Sequence, residues 1–143
     1  MKLAELLRIK GDSKILKIKA DDSIADAATI LTEHKIGALL VEGADGAIVG
    51  ILSERDIVGG MGAHGADLHD VRVGELMTTD VIRCSPNDSV LQAMALMTDR
   101  RFRHLPVFEG DDLVGFISVG DLVKCRISEF QVEAEAMRLY IAS

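Results

Sequence analysis

Two serine–aspartate pairs, Ser53 with Asp56 and Ser118 with Asp121, carry the most chemistry in this 143-residue chain. An aspartate carboxylate accepts two hydrogen bonds from a vicinal diol such as that of a ribose. A serine three residues earlier stands at the start of a helix, where free backbone N–H groups and the dipole favour a phosphate. The S-x-x-D spacing thus puts a sugar contact and a phosphate contact on one helical turn. The same spacing also describes a plain capping pair, in which Ser caps the helix and Asp returns the bond. Both roles can coexist. What raises these pairs above isolated caps is recurrence: each follows a glycine and two apolar residues, Gly50-Ile51-Leu52 and Gly115-Phe116-Ile117.

That recurrence is part of a duplication. Ile15 to Val58 aligns with Val81 to Lys124 at an offset of 66, which drops to 65 after a one-residue difference in a turn. Asp22-Ser23 matches Asp88-Ser89, Ala27 matches Ala93, and Val41 matches Val107. Gly50, Ser53, Asp56 and Val58 match Gly115, Ser118, Asp121 and Val123. The period exceeds that of a typical solenoid unit, so this is a two-fold duplication and not an array.

Each copy reads as strand, helix, strand, strand, helix. Ile15 to Lys19 alternates apolar and basic residues, as a half-buried strand does. Ser23 with Asp26, and Ser89 with Gln92, read as capping boxes. The helices they open carry apolar stripes, Ile24, Ala27, Ala28 and Leu31 in one and Val90, Ala93, Met94 and Met97 in the other. Ala38–Val41 and Ile48–Leu52 flank a glycine-containing turn, as do Leu105–Phe108 and Leu113–Ile117, so each pair predicts a hairpin. A short helix is expected after Ser53 and after Ser118. Leu3, Leu6 and Leu7 have helical spacing. Ile127, Phe130, Ala134, Met137 and Ile141 share one face of a tail helix that needs a partner surface. One copy alone buries little, and two packed together form a core.

The pattern resembles tandem CBS (cystathionine-β-synthase-type) domains, the Bateman module. The marks are GILSERD at Gly50–Asp56, GFISVGD at Gly115–Asp121, RHLPV at Arg103–Val107 and ELMTTDVIRCSPNDSV at Glu75–Val90. The likeness covers nearly the whole chain. It implies an α+β fold of two β-α-β-β-α repeats with pseudo-two-fold symmetry and added helical segments at both ends. The first repeat with the N-terminal helix is expected over residues 1–66, and the second, with linker and tail helix, over 67–143.

The resemblance further implies a non-enzymatic sensor of adenosine-containing ligands, held in clefts between the repeats. AMP, ADP, ATP, NAD-type dinucleotides and S-adenosylmethionine are the candidates. Ser53, Asp56, Ser118 and Asp121 would supply the sugar and phosphate contacts. Ala38, Leu39, His104, Leu105 and Pro106 would line the adenine, with Leu39 and Leu105 as walls, and Ile82 is a further nucleotide-binding candidate. Arg55 and Arg103 could meet phosphates. The second copy has Gly120 where the first has Arg55, so the two sites are expected to differ in charge. The family also implies a homodimer and an effector protein acting in trans. The alternative is a structural or dimerisation module with no nucleotide.

Other signals exclude or fail. Lysine and arginine total 16 against 23 acids, a net charge of −7, which argues against non-specific nucleic-acid binding. No apolar run approaches the roughly 20 residues that span a bilayer, and the N-terminus lacks an export signal; a cytoplasmic protein is expected. Cys84 and Cys125 are too few for a disulfide framework and read as thiols in a reducing compartment. Gly60-Met61-Gly62-Ala63-His64-Gly65 is a literal G-x-G-x-x-G, but no strand feeds it, so it reads as a helix stop and linker. His64 and His69 lack the companions of a metal site. No nucleophile–base set is visible.

Overall fold

The computed structural model describes residues 1–11 and 15–142. The elements run α1 (Leu3–Lys10), β1 (Lys17–Lys19), α2 (Ile24–His34), β2 (Ala38–Glu42), β3 (Ile48–Ser53) and α3 (Glu54–His64). After a 3-10 turn over Gly65–Asp70 come α4 (Val73–Leu76), α5 (Val90–Arg100), β4 (His104–Glu109), β5 (Asp112–Ser118) and α6 (Val119–Ala142). The α+β class stands as read from the sequence, and the helix–strand–strand–helix order recurs in both copies. No helix among the described residues is long and apolar enough to cross a membrane.

The chain forms two compact units, one of Ile15–Val81 and one of Met1–Lys14 with Ile82–Ser143. In the first, β1 pairs parallel with β2, and β2 antiparallel with β3. Ile24, Ala27 and Leu31 of α2 pack against Leu39, Val41 and Leu52 of this sheet. In the second, β4 and β5 form the hairpin, and Val90, Ala93 and Met97 of α5 pack against Leu105, Val107 and Ile117. The turns close through left-handed glycines, Gly46 (φ 82°) and Gly110 (φ 64°), a conformation L side chains resist. Ser23 accepts from the Asp26 N–H as a one-sided cap, short of the expected box, whereas Ser89 and Gln92 complete a reciprocal one.

Four expectations are corrected. First, the division at residue 66 is not the division into compact units: α1 belongs with the second repeat, and residues 67–81 belong with the first. The cause is local packing. Leu3 and Leu6 are buried in the second repeat's core, and Val71 and Val73 in the first's.

Second, the glycine-rich stretch is helical, because α3 continues through Gly59, Gly60 and Gly62 to His64. Gly60 faces Leu76 and Leu68 so closely that an added Cβ would lie 2.5 Å from Leu76 Cδ1. That packing outweighs the poor helix propensity of glycine.

Third, the helix after Ser118 and the tail helix are one element of 24 residues, α6. Its second copy of the motif is followed by Val-Lys-Cys-Arg where the first has Val-Gly-Gly-Met, and no glycine interrupts it after Gly120.

Fourth, the second repeat's first strand shrinks to one bridge, Cys84 with Val107. The Cys84 N–H donates to the Pro106 carbonyl at 3.1 Å, and the Phe108 N–H to the Cys84 carbonyl at 2.8 Å. The next bond of that ladder would need an N–H from Pro106, which has none.

The lead-ins are built alike. Leu3-Ala4-Glu5-Leu6-Leu7 corresponds to Val73-Gly74-Glu75-Leu76-Met77. The Leu3 N–H donates to the Asp88 carbonyl, and the Val73 N–H to the Asp22 carbonyl, both at 2.8 Å. Ala4 bonds Pro86 at 3.0 Å as Gly74 bonds Ala20 at 2.9 Å. Thus each repeat receives the lead-in that precedes the other repeat in sequence.

Candidate functional site

Each Ser–Asp pair sits where a hairpin strand runs into a helix. Ser53 ends β3 and caps α3, with Asp56 at the third helical position. The Asp56 N–H donates to Ser53 Oγ at 3.2 Å, and Asp56 Oδ2 accepts the Ser53 N–H at 2.9 Å. Ser118 ends β5, and the same box recurs: the Asp121 N–H donates to Ser118 Oγ at 3.1 Å, and the Ser118 N–H to Asp121 Oδ2 at 2.9 Å. The capping role is therefore realised in both repeats. A carboxylate offers about four lone-pair positions, so each box leaves acceptor capacity over.

The strand register brings the second group of candidates to the same place. Ala38 lies opposite Ser53 across β2 and β3, and His104 lies opposite Ser118 across β4 and β5. The Glu54 N–H that opens α3 donates to the Gly37 carbonyl at 3.0 Å, and the Val119 N–H that opens α6 donates to the Arg103 carbonyl at 2.8 Å. Arg103 and Arg55 have exposed side chains, and Arg55 lies on the first turn of α3. The His104 ring packs beside Phe116, centroids 5.6 Å apart.

The structure separates other candidates from this place. Leu39 and Leu105 have no exposed surface and belong to the two cores, so neither side chain is a wall open to a base. Their position follows from strand alternation: residues one step along from Ala38 and His104 turn to the opposite face. Pro106 and Ala38 are also buried. Ile82 is half-buried and packs on the second repeat's core.

Two residues at the boxes escaped the sequence reading. Thr78 donates long, weak hydrogen bonds to Asp56, 3.3 Å to Oδ1 and 3.5 Å to Oδ2. Lys10 Nζ donates to Asp121 Oδ2 at 3.0 Å and to the Phe116 carbonyl at 2.9 Å. Burial pushes the Asp121 carboxyl up, but the Ser118 N–H, the Lys10 ammonium and the Ser118 hydroxyl together hold it below the usual carboxylate range. The lead-in pairing marks neither residue, since at its offset of 70 Lys10 stands against Asp80 and Thr78 against Arg8.

The motif glycines acquire a reason here. A Cβ on Gly50 would stand 2.6 Å from Met77 Sδ and 2.9 Å from the Thr78 carbonyl oxygen. A Cβ on Gly115 would overlap the Leu7 side chain. Each glycine makes room for the lead-in that delivers Thr78 or Lys10. The thiols take no visible part: burial, with Asp88 adding, pushes the Cys84 thiol up to about 11, and burial with Glu129 raises Cys125.

Comparison with known proteins agrees with this architecture. The sequence profile of the CBS domain matches twice, over residues 11–62 and 73–128. A CBS-domain protein of Agrobacterium tumefaciens, ATU1752, superimposes with a TM-score of 0.84 at 43% identity, covering 87% of this chain and 92% of that one. A putative signal-transduction protein with CBS domains from Burkholderia ambifaria gives 0.85 at 41%, covering 90% and 95%. The mitochondrial CBS domain-containing protein CBSX3 of Arabidopsis thaliana is 34% identical over 97% of this chain and 71% of its own length. A more distant pair, the CBS domains of MJ0100 in complex with 5-methylthioadenosine and S-adenosyl-L-methionine, shares the fold at a TM-score of 0.77 and 22% identity, over 90% of this chain and 98% of that one. With two profile matches on two like-built units, this chain belongs to the CBS-domain family and carries the domain as a pair.

Proposed function

We propose that this pair is a regulatory, non-catalytic module that binds an adenosine-containing ligand and passes the resulting change to a partner protein. One observation carries the reading: the Ser–Asp box recurs at the same junction of strand and helix, with its carboxylate partly exposed in both repeats. A ribose diol would bond the spare carboxylate positions of Asp56 or Asp121. A phosphate would meet the first turn of α3 or α6, where the helix N-terminus favours an anion, with Arg55 or Arg103 adding charge. Backbone groups near Ala38 and His104 would read the adenine edge, since Leu39, Leu105 and Pro106 are buried. MJ0100 supports the reading, because its CBS pair holds adenosine compounds on the same fold. AMP, ADP, ATP, NAD-type dinucleotides and S-adenosylmethionine are all candidates. A ligand transmits a signal only if it binds two arrangements of the protein with different affinity.

A thermal-shift panel tests this. A ligand at about 100 times its dissociation constant should stabilise the protein by roughly 2.7 kcal/mol. No shift from any of the candidates at millimolar concentration removes the reading.

A second reading, a homodimerisation module, is favoured by α6. Ile127, Phe130, Met137 and Ile141, predicted to share one face, are 52%, 56%, 65% and 79% exposed. Light scattering with and without residues 126–143 separates the two. A dimer that becomes a monomer on truncation supports it, and a monomer in both forms removes it.

A further inference from the structure

Lys10 stands in an unusual place for a cation. It lies at the N-terminal end of α6, a helix of 24 residues whose dipole is positive at that end. What holds it there is Asp121 Oδ2 at 3.0 Å and the Phe116 carbonyl at 2.9 Å. Its delivery is rigid. Leu3 and Leu6 of α1 are buried, and Leu7 seats against Gly115. The side chain itself is a flexible four-carbon stem, so its ammonium can move without α1 moving.

The corresponding lead-in does something different. Where α1 continues from Leu7 to Lys10, α4 ends at Leu76, and Thr78 exchanges both backbone bonds with Ile51 at 2.9 and 3.0 Å. Asp56 therefore meets the neutral hydroxyl of Thr78. A sugar hydroxyl approaching Asp56 competes with a weak bond between uncharged and charged partners. A sugar hydroxyl approaching Asp121 competes with an ion pair. Once displaced, the Lys10 ammonium has only water or a new anion as partner beside the positive end of α6, a place that suits a phosphate.

We propose that Lys10 is a specificity-determining residue of the second repeat: it holds Asp121 until a ribose takes the carboxylate, then pairs with a phosphate of the same ligand. This rests on the nucleotide-binding reading above and deepens it. A phosphorylated nucleoside exchanges one partner of Lys10 for another. An uncharged nucleoside leaves the ammonium without an anion and binds more weakly. The second repeat thus selects by phosphate, through a residue that lies outside both copies of the S-x-x-D motif.

The test uses calorimetric titration of the full-length chain with AMP and with adenosine. Asp56→Ala removes the first repeat's carboxylate, so that binding reports the second repeat. In that background AMP should bind more tightly than adenosine. Adding Lys10→Met should weaken AMP by about fivefold and strengthen adenosine by a similar factor, the scale of a partly exposed ion pair. Lys10→Arg should retain the preference, and Lys10→Gln should repeat the Met result. Thermal unfolding of each variant verifies that it folds. An AMP-to-adenosine ratio unchanged by Lys10→Met overturns the role of Lys10 alone. Binding lost altogether in Asp56→Ala overturns it as well, because the second repeat then binds neither compound. If the wild-type chain binds neither, the nucleotide reading falls and this one with it.

Discussion

Asp56 meets the hydroxyl of Thr78, and Asp121 meets the ammonium of Lys10, although the two carboxylates close the same capping box on the same kind of helix. The difference arises upstream. Both lead-ins start alike, with Leu3 and Val73 buried and bonded to equivalent carbonyls. They part after Leu7 and Met77. Arg8-Ile9-Lys10 is a run that helices accept readily, and Thr78-Thr79-Asp80 is one they accept poorly. A duplicated fold thus keeps its frame and varies its sites through the short segments that the duplication constrains least.

The strongest way to challenge this pairing of lead-ins is to empty their anchor positions. Leu3→Ala should cost about 3 kcal/mol, as truncation of a fully buried leucine does. Val73→Ala should cost less, since it removes two side-chain carbons where Leu3→Ala removes three. Urea unfolding gives both values. A near-neutral Leu3→Ala would show that α1 is not the counterpart of α4.

The motif glycines separate the two repeats next. Gly50→Ala places a methyl against the Thr78 carbonyl, which is itself bonded to the Ile51 N–H. Backbone must move, and a loss of about 2 kcal/mol is expected. Gly115→Ala meets only the Leu7 side chain among its nearest contacts, and a side chain can turn aside. Its loss should be nearer 1 kcal/mol. The reverse order would mean that the lead-in beside Gly115 is the more rigid.

The smallest effect is acid titration of Asp121. Its carboxyl is held below the ordinary value of 3.8. A depressed folded pKa stabilises the protein above that ordinary value, and the contribution disappears as pH falls through the lower, folded value. Carboxyl NMR should give a midpoint below 3.8, and Lys10→Met should move it upward. An Asp121 midpoint indifferent to Lys10 would make the ion pair a surface accident.

The duplication, the capping boxes and the apolar stripes were legible because each follows from local spacing. Ser89 with Gln92, and Ala93 with Met97, lie within one or two helical turns. Lys10 was not legible, because 111 residues separate it from Asp121. The place of Gly60 within α3 was not legible for a related reason, since Leu68 and Leu76 pack on it from elsewhere in the chain.

By itself, then, the sequence determined the repeat, the class of fold and the two serine–aspartate junctions, since backbone hydrogen bonding and side-chain period act over a few residues. Only the tertiary structure decided which lead-in serves which repeat and which group faces each carboxylate. Those choices depend on contacts between distant segments, where a single buried leucine or a missing proline N–H outweighs local preference.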